Sequence, residues 1–339
     1  MTSTWRLAAL GAAACGLLVA GCKPKAPEGP APGPVAPIPG SPGAPAPKQG
    51  ALTVGFSQIG AESGWRTAET NSIRSEAAKR GINLKFSDAQ QKQENQIKAL
   101  NAFIAQKVDA IILAPVVETG WEPVLKKAKD AGIPVILVDR GVKVSDDSLY
   151  ATLVASDFVN EGKMAGEWLV KATKGTASVA ELQGTVGAAP AIDRKKGFAE
   201  AIQSAPGVKI IASQSGDFTR AGGKQVMEAF LKTHGKAITA VYAHNDDMAL
   251  GAIQAIEAAG LKPGKDIIVV SIDGVKGIFE AMVAGKANCT VECNPLLGPL
   301  AFDAVEKAVK GEKLDKWTVV PDRLFDTTTA KEALPTRQY

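Results

Sequence analysis

Short apolar runs that end in a polar side chain recur along this chain. Ile133–Val138 runs into Asp139-Arg140, Val241–Ala243 into His244-Asn245, and Ile267–Ile272 into Asp273. Between such runs lie stretches with apolar residues at helical spacing, so the repeating unit reads strand, loop, helix. The first unit is Leu52–Phe56 with a helical pattern through Ala68, Ile73 and Ala77 that stops at Gly81. The same reading gives Ile82–Phe86 with Gln96–Gln106, Ala110–Leu113 with Trp121–Ala131, and then Ile133–Val138. Further on come Ala177–Leu182 with Lys195–Ser204, Lys209–Ala212 with Gly223–Thr233, Thr239–Tyr242 with Met248–Ala259, and Ile267–Ile272 with Ile278–Ala284. Alternation of this kind predicts parallel sheets with helices on both faces. The units suffice for two sheets, one before about Ala155 and one after, so the expected fold class is α/β with two Rossmann-like lobes. Asn288–Cys293 and Trp317–Val320 read as extended crossing segments, with a helix Leu300–Lys310 between them returning to the first lobe. Several crossings make a hinge.

In an open parallel sheet, ligands bind outside the carboxyl ends of the strands, where polar side chains from distant sequence positions converge. The set here is Asp, Asn and Arg with Trp nearby. Such groups suit a polyhydroxylated ligand, because each hydroxyl both donates and accepts, and planar carboxylate, amide and guanidinium groups bridge neighbouring hydroxyls. The turn Ser57–Arg66 has neither the glycine spacing of a dinucleotide loop nor the Lys-Ser/Thr pair of a phosphate loop, so no cofactor is expected. It offers Glu62, Trp65 and Arg66 around Gly64 instead. Trp65 reads equally as a core residue or as a platform for a ligand.

Asp139-Arg140 at a strand end would present acceptors and donors together. In Asp193-Arg194, Asp193 suits a helix cap, and Arg194 is either a ligand or a surface residue. Asp217 or Thr219 would cap the helix after Phe218, which leaves Phe218 as core filler or as an apolar wall. In His244–Asp247 one of the acids is expected to cap the next helix, His244 to be structural and Asn245 to face the ligand. Asp273-Gly274 is a second strand-end candidate or a plain turn.

The amino terminus adds an address. Arg6, the apolar stretch Leu7–Ala20 and the sequence Val19-Ala20-Gly21-Cys22 have the pattern of a lipoprotein signal over residues 1–21, with the lipid on Cys22. An uncleaved membrane anchor is the alternative, and either exports the domain. Residues 22–50 are rich in Pro, Ala and Gly and read as a tether. The four cysteines then reduce to Cys289 and Cys293 in the body. Four residues apart on a strand, they would stand about 13 Å from each other, whereas a disulfide needs alpha carbons within about 7 Å, so free thiols are expected. With His234 and His244 as the two histidines, no metal-ligand spacing emerges. A net charge of +4, from 39 basic and 35 acidic residues spread along the chain, gives no footprint for nucleic acid.

The strings VGFSQIGAESGWR, QQKQENQIKAL, APVVETGWEPVL, IPVILVDR, ELQGTVGAAPAIDRKKGFAEAI, SQSGDFTR, AVYAHNDDMALGAIQAI and KDIIVVSIDG resemble the ribose-type periplasmic sugar-binding proteins and, within them, the galactofuranose binders of ABC importers. The resemblance covers about residues 51–325. It implies the type I periplasmic binding protein fold, with two lobes joined by three crossings that close on one monosaccharide and present the closed form to a membrane permease. It implies lobes at 51–155 plus 295–319 and at 156–294 plus 320–335, a monomeric protein and no catalysis. Carried over residue by residue, the ligand set is Glu62, Gly64, Trp65, Arg66, Asp139, Arg140, Arg194, Phe218, Asn245 and Asp273. Cys293 stands where ribose binders carry a glutamine, and the lipid anchor and tether depart from the freely soluble periplasmic form. Three other classes are weighed against this one: an exported glycosidase using Glu62 with Asp139 or Asp273, a sensor that reads out the same closed form, and a sugar-responsive repressor, which would need a DNA-binding helix pair.

Overall fold

The structure, a computed structural model, describes residues 50–339. The expected signal, the lipid site Cys22 and the tether up to residue 49 lie outside the described residues. In chain order the elements are β1 (Thr53–Gln58), α1 (Gly64–Arg80), β2 (Asn83–Asp88), α2 (Gln93–Ala105), β3 (Ala110–Leu113), α3 (Glu122–Asp130), β4 (Val135–Val138), β5 (Thr152–Ala155) and α4 (Phe158–Ala172). They continue with β6 (Thr176–Gln183), α5 (Ala189–Ile202), β7 (Gly207–Ser215), α6 (Arg220–His234), β8 (Ala240–Ala243), α7 (Asp246–Ala258), β9 (Ile268–Asp273) and α8 (Lys276–Val283). The last are β10 (Cys289–Glu292), α9 (Gly298–Val309), β11 (Trp317–Val319), β12 (Leu324–Asp326) and α10 (Ala330–Ala333).

These strands form two six-stranded sheets, ordered β11-β5-β4-β3-β1-β2 and β12-β10-β9-β8-β6-β7. Every pairing is parallel except β10 with β12. The strand order reverses between β1 and β3 in one sheet and between β6 and β8 in the other, and at such a switch point the loops part to leave a crevice. β3 and β4 read AIIL and VILV and are buried throughout, as strands covered on both faces must be.

The chain passes between lobes after β5, after β10 and after β11. Asn288–Cys293 and Trp317–Val320, expected as crossing segments, are instead sheet strands: β10 lies inside the second sheet and β11 on the edge of the first. The crossings are the loops that follow them.

Four elements were missed from sequence: β5, α4 and the short carboxyl-terminal β12 and α10. In α4, FVNEGKMAGEWLVKA, Gly162 and Gly166 interrupt the apolar periodicity. Their purpose is close approach. A Cβ on Gly162 would sit 2.2 Å from the Arg194 carbonyl oxygen, and one on Gly197 of α5 would sit 1.9 Å from that of Val159. Backbone therefore meets backbone where α4 crosses α5, and this brings Glu161 onto Arg194.

The helix ends carry the local signals. Ser63 Oγ accepts from the Arg66 N–H at the start of α1, and Gly81 closes that helix at φ 67°. Thr219 caps α6 as one of its two expected residues. Asp193 does not cap α5; it lies inside that helix, which is entered from Ala188 with a proline in its first turn. Asn245, not an acid, caps α7, its Oδ1 accepting from the Met248 N–H at 3.0 Å. Asp246 instead accepts from Thr290 Oγ1 at 2.9 Å and from the Gly274 and Val275 N–H groups at 2.7 and 2.8 Å, with Ser271 Oγ as a further donor. That carboxylate ties the ends of β8, β9 and β10 together beneath the site. Cys289 and Cys293 are both buried and free.

Candidate functional site

The carboxyl ends of the two sheets face each other across a small cavity lined by Glu62, Ser63, Trp65, Arg66, Asp139, Arg140, Pro190, Arg194, Phe218, Asn245 and Asp273.

The first-lobe wall is built around Arg66. Three-residue spacing puts Glu69 on its side of α1, and Glu62 reaches it from the loop just before that helix. Its Nε donates to Glu62 Oε1 at 3.0 Å, its Nη2 to Asp139 Oδ2 at 2.6 Å and its Nη1 to Glu69 Oε2. Burial alone would lower the pKa of Arg66; the three carboxylates outweigh it and hold the pKa above its ordinary value. Glu69 also accepts from Gln58 Nε2 at 2.9 Å, and burial pushes its carboxyl up to about 7 against the pull of Arg66. Arg140 donates from Nη1 to the Val116 carbonyl at 3.0 Å, and burial, reinforced by the nearby Arg66 charge, lowers its pKa to about 10. It stays charged at neutral pH. Glu62 Oε2 is buried without a hydrogen-bond partner in the protein, and Arg140 Nε makes no hydrogen bond but lies 3.5 Å from Asp139 Oδ2 as an ion pair.

The second-lobe wall repeats the device around Arg194. Its Nε donates to Glu161 Oε2 at 2.7 Å, its Nη1 to the His244 carbonyl at 2.6 Å, and its Nη2 lies 3.5 Å from Asp273 Oδ1. Burial pushes the Asp273 carboxyl well above the usual range, against the pull of Arg194. Phe218 places its ring 5.2 Å from the Arg140 guanidinium across the cleft, a cation–π contact between the lobes. Gly184 makes room for that ring: a Cβ there would lie 1.9 Å from its tip. Asn245 Nδ2 donates to the Phe218 carbonyl at 3.1 Å, so it steadies the wall as well as lining the cavity. Trp65 combines its two readings, with a ring buried against the second lobe's core and Nε1 donating to the Cys293 carbonyl at 2.5 Å.

Three of the lining residues have strained backbones. Asp139, Phe218 and Asp273 have φ of 60°, 60° and 131°, a region that side-chain-bearing residues rarely occupy and that costs about 1–3 kcal/mol each. Strain of that kind persists where the surrounding structure over-determines it, and here it turns side chains at strand ends into the cleft.

Of the ten expected ligand residues, nine line this cavity. Gly64 does not; its N–H donates to Asp247 Oδ2 at 2.9 Å, beside the cavity. The sequence reading missed Ser63 and Pro190 as lining residues, and Glu69 and Glu161 as supports. Glu69 was discoverable from its three-residue spacing to Arg66, whereas Glu161 went with the missed helix. Among the described residues no group of three or more His, Cys, Asp or Glu side chains is placed to hold a metal ion, and no helix is long and apolar enough to cross a membrane.

A pair of doubly wound lobes, crossed by the chain three times and closing on a small polar cavity, defines a bilobal solute-binding protein. Residues 54–313 match the family model for the periplasmic binding protein domain. The chain belongs to the periplasmic binding protein family. It is 63% identical over 287 residues to the galactofuranose-binding protein YtfQ of Escherichia coli strain K12, covering 84% of this chain and 90% of that protein. A crystal structure of a galactofuranose binding protein matches with a TM-score of 0.83 and 62% identity, covering 85% of this chain and 98% of that one. The periplasmic binding protein component of the arabinose ABC transporter from Shewanella sp. ANA-3, bound to alpha and beta-L-arabinofuranose, matches with a TM-score of 0.83 and 57% identity over 85% of this chain and 96% of its own. The family is one of solute-binding transport proteins rather than enzymes.

Two outcomes test the geometry. Arg140→Ala removes a buried donor from the cavity wall, so isothermal titration with L-arabinose or D-galactose should show at least a tenfold loss of affinity, while Lys232→Ala, on the exposed face of α6, changes nothing; equal affinities would remove Arg140 from the site. Asp273→Gly relieves both the strained φ and a buried carboxyl, so its melting temperature should rise while sugar binding falls; a lower melting temperature would show that the strain is not stored there.

Proposed function

We propose that this protein is an extracytoplasmic binding protein that captures a neutral monosaccharide in its furanose form by hinge closure and delivers it to an ABC importer. The observation that carries this reading is the charge balance of a cavity with unpaired polar edges. Three arginines, Arg66, Arg140 and Arg194, meet the lining acids Glu62, Asp139 and Asp273 and, behind them, Glu69 and Glu161. Each guanidinium is already committed to carboxylate or carbonyl oxygens, which leaves no surplus positive charge for a phosphate or a sugar acid. The free groups, Glu62 Oε2 as an acceptor and Arg140 Nε as a donor, suit neighbouring hydroxyls. The names of the relatives, galactofuranose and arabinofuranose binders, favour the five-membered ring.

Closure makes the affinity. Only the closed form touches the sugar from both lobes, so the sugar stabilises that form. In the same reading the ten ligand residues act as assigned from sequence except Gly64, the chain works as a monomer, residues 51–155 with 295–319 and 156–294 with 320–335 move as the two lobes, and Cys22 carries a lipid that holds the body near the membrane by a tether over residues 22–50.

A thermal-shift panel tests the ligand. At a hundredfold excess over its Kd a ligand adds about 2.7 kcal/mol to stability, a shift of several degrees, so D-galactose and L-arabinose, which populate furanose forms, should raise the melting temperature where D-glucose does not. An equal rise with D-glucose would overturn the furanose reading. Cys22→Ser should move the protein from the membrane fraction to the soluble one; unchanged partition would remove the lipid anchor.

A further inference from the structure

Two hydrogen bonds join the lobes away from the hinge. One is between backbones, from the Glu118 N–H to the Gly187 carbonyl at 3.0 Å. The other involves a carboxylate: the Gly64 N–H, at the first residue of α1 in one lobe, donates to Asp247 Oδ2 in the other at 2.9 Å. Asp247 stands in the first turn of α7, so the amino ends of two helices, one from each lobe, meet at the same side chain. Its second oxygen is clamped by Arg220, with Oδ1 accepting from Nη2 at 2.8 Å and from Nε at 3.1 Å. Neither Asp247 nor Arg220 lines the cavity.

We propose that Asp247, clamped by Arg220, is a latch residue that sets the ligand affinity of the neighbouring site by stabilising the closed arrangement of the lobes without touching the ligand. The arrangement has the features such a part needs. The acceptor is charged, buried and held by its own lobe, so it meets the partner N–H already oriented. The donor is a backbone N–H at a helix start, one of the groups that a helix leaves unpaired. Opening the lobes separates the two and returns both to water. Ligand and latch therefore stabilise the same state by different contacts, and apparent affinity scales with the closed population that the latch supports. This inference rests on the reading of the cavity as a site that closes on a sugar.

Two substitutions remove the latch from opposite sides. Asp247→Ala deletes the acceptor. Gly64→Pro deletes the donor and puts the ring Cδ on the side of N that faces Oδ2, and the local backbone accepts it: proline is favoured at the first helical position, and the preceding Ser63 is extended at φ −143° and ψ 164°. L-arabinose and D-galactose serve as probes. Each variant should show about tenfold faster dissociation in stopped flow, a loss of affinity of the same size, and an association rate changed by less than threefold. Small-angle scattering of the ligand-free protein should show a population shifted toward the open form, and a saturating probe should restore the wild-type closed profile. The double variant should lose no more than the larger single loss, since the two partners form one contact. Arg220→Ala should move the same readouts in the same direction by less.

Variants that fold, melt like the wild type without ligand, and keep both the wild-type dissociation rate and the wild-type scattering profile would overturn the latch. A lower melting temperature with unchanged dissociation would overturn it too, by making Asp247 a helix-stabilising residue alone. Failure of the wild type to bind either probe would strike the sugar reading, while the ligand-free scattering comparison would still decide the latch.

Discussion

Everything on the first-lobe side of the cavity depends on one buried guanidinium. Taking an arginine out of water costs several kcal/mol unless partners replace the solvent, and removal of one partner leaves an uncompensated charge. Arg66 meets that demand with Glu69 from its own helix, Glu62 from the loop before it and Asp139 from the end of β4. The cage therefore fastens α1 to the strand end and fixes the loop between β1 and α1 in the only geometry that keeps the charge paired. It also divides labour between two arginines. Arg66 spends its donors on the protein in hydrogen bonds, whereas Arg140, next along the wall, keeps Nε without a hydrogen bond, 3.5 Å from Asp139 Oδ2.

The second lobe reaches the same end by another route. Arg194 sits on a helix, and its main partner Glu161 arrives from α4, held close by the glycine contacts of the α4–α5 crossing. Asp246, one layer below, gathers donors from β9, β10 and the turn after β9, so the strand ends that carry Asn245 and Asp273 cannot shift independently. Both walls are thus rigid polar lattices, and the lining atoms left without a hydrogen bond, Glu62 Oε2 and Arg140 Nε, belong to the first-lobe wall.

Much of this was legible in the chain because parallel strands advertise themselves twice, by an unbroken apolar run and by the polar residue that ends it. That signal alone located Asp139, Arg140, Asn245 and Asp273. What escaped notice depends on relations between elements. Gly162 and Gly166 look like helix breakers in isolation and acquire a reason only when α5 is laid against them. Asp246 and Asp247 look like caps because acids favour helix starts, but Asn245, one residue earlier, already has the extended backbone that a cap requires. Gly64 lay in a motif of ligand residues, and no property of a glycine tells whether its N–H will meet a sugar or a carboxylate from the opposite lobe.

The selectivity of such a site follows from how little of it is adjustable. The strained turns at Asp139, Phe218 and Asp273 are held by the surrounding fold, so side-chain ordering adds little to the cost of binding. A sugar with a hydroxyl in the wrong place cannot recruit a different rotamer; it leaves Glu62 Oε2 or Arg140 Nε buried and unpaired at about 1–3 kcal/mol each. A penalty of that size removes one to two powers of ten in affinity per misplaced hydroxyl, and it falls on the closed form alone. Rigid walls and a hinged closure are then complementary requirements: the walls make the wrong ligand costly, and the hinge ensures that a ligand too poor to offset the closing cost leaves the lobes apart.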